Sequence, residues 1–197
     1  MRLFLTLLPV LLFLTVCHNA NCQAVANYNQ MESMNDSREL MSDSQLSHYR
    51  QSIWDTLPAA VGWINDFEGL FKVEEEDTLE SIIQHFEKET SIEIMIVTVD
   101  TNMVAKDKFT DFADRLLKIW GIGKKLKKNG IVICISSGYQ EIKISSDVGI
   151  EKLMNEKKKL QILKQFFIPY YEQKKYYGGT LSGLNELLIT FRENLPI

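Results

Sequence analysis

Between Glu74 and Thr90 apolar side chains return at Leu79, Ile82, Ile83 and Phe86, the i, i+3, i+4, i+7 spacing of one helix face. Glu74, Glu75, Glu76 and Asp77 crowd the start of that helix, where its dipole favours negative charge, so the acidic run has a structural explanation. Ile92 to Val99 is apolar on both faces apart from Glu93 and Thr98, as a strand covered on two sides must be. A second helical stripe follows at Phe109, Phe112, Ala113, Leu116 and Trp120, and Gly121 and Gly123 end it.

The run Ile131 to Ile135 predicts a second buried strand, and Ser136-Ser137-Gly138 turns the chain into the alternating stretch Glu141 to Ser145, which makes a hairpin. Beyond it the pattern is helical, from Ile150 to about Phe167, then after a break or kink near Pro169 from Tyr177 to Asn194 with Leu181, Leu184, Leu188 and Phe191 on one stripe. Strands with helices before and after them predict a three-layer α/β/α sandwich, a small mixed sheet of about four strands with helices on both faces. The aromatic patch of Phe166, Phe167, Tyr170, Tyr171, Tyr176 and Tyr177 belongs by default to packing between the last two helices; an exposed share marks a binding surface.

The amino-terminal end has a different pattern. Arg2 and the apolar run Leu3 to Val16 have the length of a signal peptide and fall short of a spanning helix. Residues 1–22 are therefore expected to be a signal peptide, with cleavage after Cys22, and the protein to be exported to the periplasm or cell envelope. A competing reading makes Cys17 a lipidated first residue, anchoring the protein to a membrane. Residues 23–57 read as a flexible linker with a short helix over Gln45 to Trp54, and Pro58 opens the domain, residues 58–197. Asn35-Asp36-Ser37 matches the glycosylation sequon, which matters only in a eukaryotic secretory route.

A length of 197 residues suits one domain with a real core, and a net charge of −4 gives no case for a protein that wraps nucleic acid. No glycine-rich phosphate loop follows a strand, so no nucleotide cofactor is expected. Cys134 sits inside an apolar strand and reads as a small core residue, while His48 and His85 supply no evident partner for a nucleophile. Lys124, Lys125, Lys127 and Lys128 occupy the turn before the second strand, and Lys157-Lys158-Lys159 and Lys174-Lys175 read as solvated faces, with contact to anionic lipid the alternative if Cys17 is an anchor.

Short stretches in a fixed order, "GWINDFEGLF" from Gly62, "EIMIVTVD" from Glu93, "FADRLLKIWGIGKK" from Phe112, "NGIVICISS" from Asn129, "VGIEKLM" from Val148 and "FFIPYYEQKKYYGGTLSGLNELL" from Phe166, together resemble the TPM domain family. The resemblance implies an α/β/α fold with a loop-lined acidic cleft able to hold a divalent cation, calcium or magnesium. It implies either an accessory or interaction module that engages an envelope protein, or a metal-dependent acid phosphatase acting on phosphomonoesters. Carried over by position, it implies a ligand set of Asp66, Asn129, Asp147, Glu151 and Asn155. The family's Asp-Asn-Gly appears here as Lys128-Asn129-Gly130, so an acid has become a lysine. An ammonium about 4 Å from a bound cation opposes it by about 4 kcal/mol at an effective dielectric of 20, which weakens the site unless the long side chain points away. The plainer account of the same residues is structural: Asn65 and Asp66 capping a turn, Asp147 an N-cap, Glu151 a first-turn acid.

Overall fold

The computed structural model describes residues 41–123 and 128–195. The processing segment with Cys17 and Cys22, and Lys124, Lys125 and Lys127 of the basic turn, lie outside the described residues. The elements in chain order are α1 (Asp43–Asp55), β1 (Ile64–Asp66), α2 (Val73–Thr90), β2 (Glu93–Thr98), α3 (Phe109–Ile119), β3 (Gly130–Ser136), β4 (Glu141–Ser146), α4 (Val148–Glu151), α5 (Glu156–Ile162), α6 (Ile168–Tyr171) and α7 (Tyr176–Asn194). The sheet order is β1-β2-β3-β4, with the first three strands parallel and β4 antiparallel to β3.

Alternation along the strands builds the three layers. Ile94 and Ile96 of β2 and Ile131, Ile133 and Ile135 of β3 face one side, where they meet Leu79, Ile83 and Phe86 of α2 and Leu184, Leu187 and Phe191 of α7. Met95, Val97, Val132 and Cys134 face the other side, against Phe109, Phe112, Ala113 and Leu116 of α3. The α/β/α sandwich read from the sequence is the fold observed. One feature runs against a strong preference. The strands advance in one direction while α2 crosses on one face and α3 on the other, so the two crossovers have opposite hands, and one departs from the right-handed rule.

Two expectations need correction. The amino-terminal helix is not linker but part of the packed unit. Ile53 is buried, Trp54 meets Phe112 with ring centroids 6.3 Å apart, and Arg50 donates to the Thr101 carbonyl at 2.8 Å. The helix expected from Ile150 divides instead, because Asn155 turns the chain and caps α5 by accepting the Lys158 N–H at 3.0 Å. The break expected near Pro169 falls at residues 172–175, between α6 and α7, and the proline itself is carried inside the helix. Residues Leu163–Phe167 form a π-helical turn in which Ile168 N–H bonds the Leu163 carbonyl, and the widened turn absorbs Pro169, which has no N–H to donate.

Lys159 departs from its expected place on a solvated face. Its side chain is buried, and its ammonium donates to Ser146 Oγ at 2.8 Å and to the Glu156 carboxylate. A buried ammonium is tolerated only when paired in this way. Most of the aromatic patch packs between the last helices, while Tyr170 is 39% exposed. Tyr171 and Thr180 hydroxyls lie 2.7 Å apart, and Gly179 and Gly183 leave room for the Tyr171 and Phe167 rings.

Candidate functional site

The three parallel strands all end at one edge, where open α/β sheets commonly bind ligands. β1 ends in Asp66, paired in register with Thr98 at the end of β2. Asp66 is buried because the chain must turn at once from β1 towards α2. Its carboxylate accepts the Thr98 hydroxyl on one oxygen and the Phe71 N–H at 2.8 Å on the other. The Thr98 oxygen in turn accepts the Glu68 N–H at 2.9 Å, so this one side chain ties β2 to both ends of the turn.

Glu68 reaches across the strand ends to the hairpin joining β3 and β4. Its carboxylate accepts Ser137 N–H at 2.9 Å, the Ser137 hydroxyl at 3.0 Å and Gly138 N–H at 3.5 Å. Burial pushes its pKa up to about 7; the Ser137 and Gly138 hydrogen bonds resist that rise and the Asp100 charge adds to it. Glu76, on the first turns of α2, is also raised to about 7, by burial first and then by the charges of Asp66, Asp77 and Glu80. Glu68 with Asp100, and Glu76 with Asp66, thus make two pairs of repelling carboxylates along this edge, and burial lets Glu68 and Glu76 hold a proton close to neutrality. Ser136, at the end of β3, is buried with its hydroxyl unpartnered among the described residues.

The sequence-derived ligand set does not gather here. Asn129 and Asp147 lie at the opposite edge. Asn129 immediately precedes Gly130, which is level with Glu93, five residues back along β2 from Thr98. Five residues at roughly 3.3 Å each span about 17 Å, too far for one ion to bridge. Nor do the four remaining side chains point to a ligand. The Asn129 amide donates to the Ser91 carbonyl, Asp147 accepts Gly130 N–H at 3.3 Å and precedes α4, Asn155 caps α5, and Glu151 is exposed. The reason is the antiparallel β4, which carries the chain away from the Asp66 edge before Asp147 is reached. Among the described residues no three His, Cys, Asp or Glu side chains converge as a metal-holding group.

Two further expectations are settled by position. Lys128 is exposed in a left-handed conformation, with φ 50° and its carbonyl accepting Gly149 N–H at 3.0 Å, so its ammonium is not seated among the carboxylates. Cys134 is fully buried, and burial raises its thiol pKa far above the ordinary range, which leaves it inert as a nucleophile. Glu68 and Asp100 were missed by sequence reasoning, which read Glu76 as a helix-start acid and Thr98 as a polar strand residue. The available signal was the rule that strand ends carry function: an acid two residues after β1 and another two after β2.

Comparisons with known proteins agree with the fold. The solution structure of the amino-terminal domain of a P. gingivalis protein is similar, with a TM-score of 0.62 and 18% identity, covering 68% of this chain and 83% of that one. The BA42 protein of the psychrophilic bacterium Bizionia argentinensis is similar with a TM-score of 0.55 and 20% identity, over 66% of this chain and 86% of its own. A comparison with curated proteins finds no match. The model of the TPM domain matches residues 64–188, from the first strand to the last helix, and the chain belongs to the TPM domain family.

Proposed function

We propose that this chain is an exported, non-catalytic TPM-domain module of the cell envelope that acts by engaging another envelope protein. Any divalent cation, calcium or magnesium, binds weakly at this strand-end edge, where carboxylates neighbour one another in pairs (Asp66 and Glu76, Glu68 and Asp100) and not as a converging set. The observation that supports this reading best is the commitment of the acidic side chains to backbone. Asp66 holds Phe71, Glu68 holds Ser137 and Gly138, and Asp147 holds Gly130. A carboxylate already filled by N–H donors has less to offer a cation that wants six to eight oxygens. Catalysis by such a cation would further require an open coordination position over a positioned water.

Calcium titration followed by amide NMR shifts tests the reading. Millimolar calcium is expected to move Asp66, Glu68, Thr98 and Ser137 and to leave Asn129, Asp147, Glu151 and Asn155 in place. Hydrolysis of a generic phosphomonoester is expected to stay at the buffer rate with either metal. Metal-dependent turnover that disappears in Asp66→Ala would overturn it.

The alternative, a metal-dependent acid phosphatase, has one specific observation in its favour. Glu68 and Glu76, protonated below about pH 7, could give a proton to a leaving alkoxide, the role of a general acid. Turnover with an acidic optimum, lost in Glu68→Gln or Glu76→Gln, is the result that would favour it.

A further inference from the structure

Arg50 ties α1 to two separate elements at the strand-end edge. Its guanidinium donates to the Thr101 carbonyl through Nη2 at 2.8 Å and through Nε at 3.3 Å, and Nη2 also reaches the Tyr139 hydroxyl at 3.4 Å. Thr101 lies in the loop after β2, next to Asp100, whose carboxylate shapes that loop by accepting Asn102 N–H at 2.8 Å. Tyr139 belongs to the turn between β3 and β4.

Without Arg50 the loop and the turn are one donor short. The Tyr139 hydroxyl faces the Val104 carbonyl at 2.7 Å and the Thr101 carbonyl at 3.0 Å, but a phenol has a single proton to give. With that proton on Val104, the nearer acceptor, the Thr101 carbonyl depends on the guanidinium. Remove it and two carbonyls compete for one hydrogen, so a part-buried acceptor loses its partner and the loop shifts against Tyr139.

Such a shift reaches Glu68, because the turn is held on both sides. On one side it rests on Thr101: a Cβ at Gly138 would lie 2.5 Å from Thr101 Cγ2. On the other, Ser137 and Gly138 supply the N–H groups that hold the Glu68 carboxylate. The path from α1 through Arg50, Thr101 with Tyr139, and Ser137 with Gly138 to Glu68 is therefore contiguous. Of its parts α1 is the one suited to move, since a helix of 13 residues with Ile53 as its buried side chain is marginal by itself.

We propose that α1 is a releasable brace on the strand-end edge: its docking, transmitted by Arg50 through Thr101 and Tyr139, sets the turn that holds Glu68, and whatever draws α1 away loosens that carboxylate. The coupling is reciprocal, so a ligand that engages Glu68 alters the hold on α1. The brace bears on function only through the strand-end edge proposed above as the working site. Its test uses neither metal nor partner, so the brace and that reading stand or fall separately.

Amide NMR of the intact chain in metal-free buffer reads the coupling. In Arg50→Ala the Ser137 and Gly138 N–H signals are expected to move upfield as their bonds to Glu68 lengthen, while Gly130, bonded to Asp147 at the opposite edge, stays in place. Arg50→Lys keeps a donor for Thr101 but loses the fork that also reaches Tyr139, and is expected to show a smaller displacement in the same direction. That variant carries the test where alanine unfolds the chain. Reciprocally, Glu68→Ala is expected to move the Arg50 Nε–H signal. Ser137 and Gly138 signals unmoved in both Arg50 variants, an Arg50 Nε–H signal indifferent to Glu68→Ala, or a displacement of Gly130 as large as that of Ser137 would each overturn the proposal.

Discussion

The Glu68 carboxylate and the Ser137 backbone N–H meet at 2.9 Å, joining the turn after β1 to the hairpin after β3 across the ends of three strands. This contact carries a pH dependence whose sign follows from burial. The Glu68 carboxyl is raised from the usual 4.5 to about 7 in the folded protein, so the folded state binds the proton more tightly than the unfolded chain. Its contribution to stability is whole below about pH 4.5 and is lost as pH rises through 7. Linkage gives roughly 3 kcal/mol for such a displacement, and partial exposure of the group reduces this to about 1–2 kcal/mol. Glu68→Gln keeps an oxygen for Ser137 and cannot ionise. The variant is expected to gain about 1–2 kcal/mol on wild type between pH 5 and pH 8 in urea unfolding; parallel pH profiles would refute the assignment.

Asp66 makes a different prediction because its carboxylate is filled by two donors. In Asp66→Asn one oxygen becomes an NH2 group that faces either the Phe71 N–H or the Thr98 hydroxyl, leaving a buried donor without an acceptor. The expected loss is about 1–3 kcal/mol, measured without added metal. A variant as stable as wild type in calcium-free buffer but less responsive to calcium would mean that Asp66 serves the ion and not the fold.

Gly183 is fixed by a ring. A Cβ built there would lie 1.9 Å from Phe167 Cε2, so α7 approaches the π-helical turn only because residue 183 has no side chain. Alanine would gain about 1 kcal/mol of helix propensity, but the overlap with a fully buried ring outweighs it. Gly183→Ala is expected to lower stability by about 1–3 kcal/mol. Adding Phe167→Leu to that variant should recover part of the loss, whereas Phe167→Leu alone should cost stability; additive losses in a double-mutant cycle would show that the two residues are uncoupled.

These residues also show what could be read in advance. Periodicity located α2, α3, β2, β3, β4 and α7, because each buries a continuous face and burial imposes the 3.6 or 2.0 repeat on the sequence. It passed over β1, whose three residues are too few to display a period, and the capped break at Asn155 inside an otherwise helical stretch. Family position brought Asp66 forward as a cation ligand and grouped it with Asn129 and Asp147, whereas the structure puts Asp66 alone of the three at the end of β1. Adjacency in a motif list carries no information about which end of a sheet a residue occupies; that follows from strand direction, and only the antiparallel pairing of β4 places Asp147 at the far edge. Glu68 and Glu76 were legible as acids, but their protonation depends on burial, which no local pattern encodes.

The amino-terminal helix gives the last prediction. α1 opens with a capping box in which Ser42 Oγ accepts Gln45 N–H at 3.3 Å and the Gln45 side chain accepts Ser42 N–H at 2.9 Å. It has little buried surface of its own beyond Ile53, so an isolated helix of 13 residues is marginal in water. Docking holds it: Arg50 donates to Thr101, Arg115 donates to the Trp54 carbonyl at 3.1 Å and lies 5.3 Å from the Trp54 ring centroid, and that ring covers Phe112. A chain starting at Pro58 would expose Phe112 and leave Arg115 without its carbonyl. It is expected to fold, since β1 to α7 are intact, but to lose about 2–4 kcal/mol relative to a chain starting at Met41. Trp54→Ala in the longer chain should account for about half or more of that loss. Equal melting temperatures for the two lengths would return residues 41–57 to the status of a linker.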